Sequence, residues 1–128
     1  MKIAAAIAQY LMGLAFVVFG LNMFLDFIPS GPRPTGPAGA FFEVMFSTHY
    51  MRAVGVVMLV SGILFLLNRF VALGLTLLGP VLVNILLFHL FMQPRGIWMG
   101  VLVSLLWVLM AWRHRAAFAG TFQAKLQE

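Results

Sequence analysis

Four apolar segments, each close to the length that crosses the hydrocarbon core of a bilayer, decide what this chain can fold into. They cover residues 3–28, 50–67, 71–92 and 97–112. About 20 apolar residues make a membrane-crossing helix. Lipid admits helices because a helix satisfies its own backbone N–H and C=O groups. The chain is 63% hydrophobic and 9% charged, against roughly 45–50% and about 25% in soluble domains. A soluble fold of 128 residues has too little interior to hide that much apolar surface. The expected class is therefore all-α: an integral membrane four-helix antiparallel bundle, built as a single domain over 1–128.

The connections sharpen this reading. Asn68-Arg69 and Gln93-Pro94-Arg95-Gly96 are short enough to make tight hairpins between neighbouring helices. The first connection is longer. "PSGPRPTGPAG", 29–39, carries four prolines and three glycines and is expected to be non-helical. "AFFEVMFST", 40–48, follows as a short helix expected at the membrane interface or capping the bundle. Lys2 followed by "IAAAIA", with Ala38-Gly39-Ala40 beyond, has the outline of a signal peptide. The apolar run is far longer than a signal h-region of about 7–15 residues, so a retained helix is expected.

The net charge is +5, from eight Lys+Arg against three Asp+Glu. These basic residues stand singly at helix ends, which suits anionic headgroups and topology rather than nucleic acid. Lys2, Arg69, Arg113, Arg115 and Lys125 fall on one side, and Arg33, Arg52 and Arg95 on the other. The excess puts both termini in the cytoplasm. "WRHR", 112–115, fits a cytoplasmic stop, and Trp98, Trp107 and Trp112 suit interface anchoring and packing. Cysteine is absent, which excludes disulfides and Cys-ligated centres in this chain. No metal site is expected.

Gly13 and Gly20 are seven residues apart, as are Gly55 and Gly62 beside Ser61. Seven residues is nearly two turns, so each pair shares a face. Small residues let helices in lipid approach closely, and these pairs are expected to form the seam between the first two long helices.

Polar side chains gather towards the outer half. Asn22 and Asp26 share a face near the end of the first helix, with His49 and Arg52 opposite. Asn84 and His89 lie on the third long segment, after Pro80, which is expected to join the four glycines in helix packing. Gln9 and Thr76 are the polar exceptions in the inner half. Asp26 is expected to pair with Arg52. Pro80 lacks an N–H and so frees the carbonyl of Thr76, giving Asn84 a candidate partner besides another helix. Asn84 and His89 are about 140° apart around an ideal helix. Haem ligation by His49 and His89 fits by depth but has no motif behind it. Each of the six has a structural reading as helix glue, ion pair or interfacial residue. Together they outline a shallow outward-facing cavity for a ligand.

"LMGLAFVVFGLNMF", "GPAGAFFEV", "GILFLLNRFVALGLTLLGPVLVNILLFHLF" and the closing "WRHRAAF" resemble the DoxX-like family of small four-helix membrane proteins, over nearly the whole chain. The resemblance implies the same bundle in the bacterial inner membrane. It also implies association with redox or oxidative-stress partners, as in the membrane subunit of thiosulfate:quinone oxidoreductase. A quinone or another amphipathic small molecule is then the expected cavity ligand, with a redox protein as partner and no catalysis by this chain alone. The chain departs from many relatives in having Met23 and Met58 where a Lys and a Glu are common. Loss of both ends of such a pair strands no charge. The rival readings are a non-catalytic scaffold or assembly factor and, more weakly, a small transporter, which would call for a homo-oligomer.

Overall fold

The computed structural model describes residues 2–29 and 31–125. Among them the chain is all-α. In order come α1 (Lys2–Leu25), α2 (Gly36–Ser47), α3 (Tyr50–Leu67), α4 (Val71–Phe91), α5 (Ile97–Arg113) and a 3-10 helix, Arg115–Phe122. α1, α3 and α4 are long and apolar enough to cross a membrane; α5 and the 3-10 helix, bent by 85°, make a fourth candidate span. At 1.5 Å per residue, the 18 residues of α3 reach about 27 Å.

α1 packs against α3 and α5, and α4 packs against the same two helices. Phe65, Leu75, Leu78, Met12 and Met110 fill the space between them and are almost completely buried. The outward faces are apolar too: Leu14, Val83 and Leu105 are each more than half exposed. Apolar side chains inside and outside suit a helix assembly whose surroundings are hydrocarbon.

The four glycines lie where α1 and α3 meet. A Cβ on Gly62 would come within 2.8 Å of the Gly13 carbonyl oxygen and the Val17 nitrogen. A Cβ on Gly20 would meet Leu59 at 2.8 Å and the Gly55 carbonyl oxygen at 3.0 Å. Backbone therefore lies against backbone, and α1 and α3 run in opposite directions. Gln9, buried on α1, closes one end of this seam. Its Nε2 donates to the Phe65 carbonyl and to Asn68 Oδ1, both at 2.9 Å. Phe65 belongs to the last turn of α3, and its carbonyl also accepts from the Asn68 N–H at 3.2 Å. Asn68 itself is left-handed, φ 53°, and ends the helix there. A second side-chain link joins α5 to α4, where Trp107 Nε1 donates to the Leu75 carbonyl at 2.9 Å.

Several boundaries differ from the sequence expectation. α1 stops at Leu25 rather than at 28, because Asp26 turns left-handed, φ 48°. Asn22 then secures the exit: its carbonyl accepts from Asp26 N–H and its Oδ1 from Ile28 N–H, at 2.9 and 2.8 Å. α2 begins at Gly36 rather than at 40, so the end of the Pro/Gly-rich stretch is helical. Pro37 causes no loss there, since first-turn N–H groups have no helical acceptor. Ser30, in the same stretch, lies outside the described residues. Pro80 sits inside α4 with its ring on the exposed outer face, so it is not a packing residue between helices.

Candidate functional site

The residues around the end of α1 enclose a cavity of about 370 Å³. Asn22, Met23 and Asp26 come from α1 and its exit, and His49, Met51 and Arg52 from the start of α3. Phe42 and Phe46 of α2 and the loop residues Gly31 to Pro34 complete the wall. The chain builds this wall locally. Gly39 packs against the Pro34 carbonyl, where a Cβ would collide with it, so the loop folds back over the first turn of α2. That return brings Arg33 to Glu43, 3.1 Å apart, and sets the Arg33 guanidinium 5.7 Å from the Phe46 ring centre. α2 is anchored in turn by Phe41 and Phe42, whose ring centres lie 5.1 and 5.0 Å from that of Phe88 on α4. His49 has a left-handed backbone, φ 62°, and its carbonyl accepts from Arg52 N–H.

The cavity is thus lined by two arginines, a histidine, an aspartate and an asparagine. Met23, Met51 and three phenyl rings, those of Phe24, Phe42 and Phe46, supply the apolar part. Such a mixed lining offers polar groups to a polar head and apolar groups to an apolar body. The volume lies in the range of roughly 300–1,000 Å³ typical of small-molecule sites.

Of the six residues read from the sequence, Asn22, Asp26, His49 and Arg52 meet here, and Asn84 and His89 do not. Asn84 lies on the exposed face of α4 and donates from Nδ2 to the carbonyl of Pro80 at 2.9 Å. Its acceptor is therefore neither another helix nor the Thr76 carbonyl. This bond within its own helix, which the geometry at i and i+4 allows, uses one of the amide's N–H donors. His89 Nδ1 lies 3.0 Å from the Gln93 carbonyl, latching the turn into α5. It is not among the residues that line the cavity with His49. Asp26 and Arg52 line the same cavity, yet the ion pair formed among the described residues is Arg33 with Glu43. The left-handed turn at Asp26 redirects its side chain from the face it would hold on a continued helix.

Arg33, Phe42 and Phe46 were missed as cavity residues. The one signal for Arg33 was its place in the Pro/Gly-rich loop; its approach to the site depends on the fold-back onto Gly39. Met23 lines the cavity, whereas Met58 is buried in the helix core.

At the opposite end of α1, His114 follows α5 directly. Burial, and then the neighbouring Arg113 charge, hold its imidazole below the ordinary value of 6.5. Its Nε2 is buried without a hydrogen-bond partner among the described residues. Comparison with protein-family models, with curated proteins and with solved structures finds no match.

Proposed function

We propose that this chain is a four-span antiparallel bundle of the bacterial inner membrane, similar to the DoxX-like family, with both termini cytoplasmic and α2 at the outer interface. In this reading it is the membrane-embedded partner of a redox or oxidative-stress system. The cavity beside the end of α1 takes a quinone or another amphipathic small molecule. The observation that carries this is the cavity's lining. Arg33, Arg52 and His49 offer donors to carbonyl or anionic oxygens, while Met23, Phe42 and Phe46 offer an apolar bed. The 370 Å³ suits a ring system of modest size, and the depth, near the exit of a span, suits a molecule delivered from the lipid. Arg52 and His49 would orient the polar head and Asn22 would hold the wall by its bond to Ile28 N–H.

Native mass spectrometry of the protein extracted gently from its own membranes tests this. A retained quinone-sized molecule, lost on Arg52→Gln, is the expected result. Extraction with neither a small molecule nor a co-purifying redox protein would sink the proposal.

A scaffold role is the second reading, and a specific observation favours it. Asn22, Asn84 and His89 each spend a polar atom on the backbone within six residues of themselves. Under that reading Arg52→Gln changes neither bound molecules nor partner activity.

A further inference from the structure

The other end of the molecule carries a second cavity, of about 390 Å³, between the start of α1 and the end of α5. Lys2, Arg113 and Arg115 line it, with Ala5, Leu109 and Trp112 as its apolar part. We propose that this cavity binds the phosphate-bearing headgroup of an anionic phospholipid. The inference rests on α1 and α5 crossing a membrane. It is independent of what the first cavity holds.

The two guanidinium groups are fixed rather than free. Arg113 Nη1 donates to the Lys2 carbonyl at 3.3 Å, tying the end of α5 to the start of α1. Arg115 Nη1 donates to the Trp112 carbonyl at 2.9 Å, and its guanidinium lies 4.6 Å from the Trp112 ring centre. Each arginine keeps further N–H groups beyond these bonds. Planar guanidinium groups suit phosphate oxygens because their N–H donors match them in pairs. The first turn of α1 adds backbone N–H groups that have no helical acceptor and a positive dipole end.

Nothing nearby neutralises this charge among the described residues. Asp26 and Glu43, the two described carboxylates, belong to the opposite end of the molecule. Three cations held around one cavity repel one another unless an anion enters. The surroundings indicate its kind. Trp112 is more than half exposed, and an indole at a span's end sits at the level of headgroups. Ala5 and Leu109 supply the rest of the apolar wall. The 3-10 helix leaves α5 at 85°, along the plane a membrane surface would take, and Phe122 projects from it almost fully exposed. A headgroup phosphate with its acyl chains leaving past the exposed face of Trp112 matches both the charge and the apolar lining. A free phosphate would match the charge alone.

The test is native mass spectrometry of the full chain released from nanodiscs of mixed phosphatidylglycerol and phosphatidylcholine. The wild-type protein should retain phosphatidylglycerol in preference. Retention should fall roughly fivefold for Arg113→Gln or Arg115→Gln alone, the scale set by one basic side chain at an anionic surface, and roughly 25-fold for both. Arg95→Gln, in the turn before α5, should leave it unchanged. Arg113→Lys with Arg115→Lys keeps the charge but not the paired donors, and should retain more than the double glutamine variant and less than the wild type, which separates loss of binding from loss of fold. Equal retention of the two lipids would overturn the proposal, as would equal loss in Arg95→Gln. Displacement of the lipid by millimolar inorganic phosphate would overturn it in favour of the free anion. Resistance of the protein to alkaline extraction from membranes tests the spanning of α1 and α5 separately.

Discussion

The two ends of the α1–α3 pair use opposite means. Through the seam, backbone touches backbone at Gly13, Gly20, Gly55 and Gly62, and Gln9 closes it with two hydrogen bonds across the helices. Beyond Gly20 and Gly55 the glycines run out. Met23, Asn22 and Arg52 stand there instead, and the helices, with α2 and the loop, enclose a cavity. Small residues in lipid give dispersion contact by close approach. Larger side chains leave a space between them. The same pair of helices is thus a rigid joint over one stretch and the wall of a pocket over the next.

The joint should be the more sensitive of the two. Gly62→Ala places a methyl group against backbone atoms that cannot move aside. It should lower stability by about 1–3 kcal/mol, the range for overpacking, read by detergent-denaturation titration. Gly79 is the control: its Cβ would meet Trp107 at 3.7 Å, an ordinary contact. Gly79→Ala should be stabilising by about 0.5–1 kcal/mol from helix propensity. Equal effects of the two substitutions would break the distinction between the seam and the rest of the bundle.

Gln9→Leu comes next. It removes both bonds across the seam and leaves the Phe65 carbonyl with the Asn68 N–H alone. A loss of about 0.5–2 kcal/mol is expected, the scale of interhelical hydrogen bonds in membranes. The same titration checks it.

At the far end of α5, pH sharpens the contrast. His114 is held below its ordinary value by burial and then by Arg113, so the unfolded chain takes up the proton first. Stability rises with pH wherever the unfolded state binds more protons. The His114 contribution is therefore fully present above about 6.5, the unfolded value. It declines as pH falls, until folded His114 protonates as well. An NMR titration of its imidazole in micelles should give a midpoint below that of a free histidine, and His114→Gln should remove this part of the pH dependence.

The smallest effect should come from Asn84→Leu. Its bond is to Pro80 within the same exposed face, so no second helix loses a partner. Stability should change by less than about 0.5 kcal/mol. A loss several times larger would mean that another surface covers that face.

These contrasts also mark what the sequence could and could not disclose. The α1–α3 contact can be read from seven-residue glycine spacing, because a missing side chain on one helix face acts wherever that face meets a neighbour. The all-α class follows from long apolar runs for the same reason: it depends on local pattern. The cavity does not. Asn22 and Asp26 share a face only while the helix continues, and a left-handed residue at Asp26 ends it. Arg33 reaches the site through a loop that folds back on Gly39, a contact with no periodicity to announce it. Asn84 and His89 had the right depth but the wrong direction, and depth along a helix says nothing about which neighbour a side chain will face. The charge of the second cavity was visible in Lys2, Arg113 and Arg115. Their convergence needed α1 and α5 to be neighbours.

The central proposal is that the opening beyond the glycine seam holds an amphipathic ligand. Photoaffinity labelling with an azido-quinone in native membranes, followed by peptide mapping, addresses it most directly. Adducts confined to residues 22–52, displaced by unmodified quinone and lost in Arg52→Gln, are the expected outcome. Adducts spread over α4 and α5, or labelling that unmodified quinone does not displace, would contradict it.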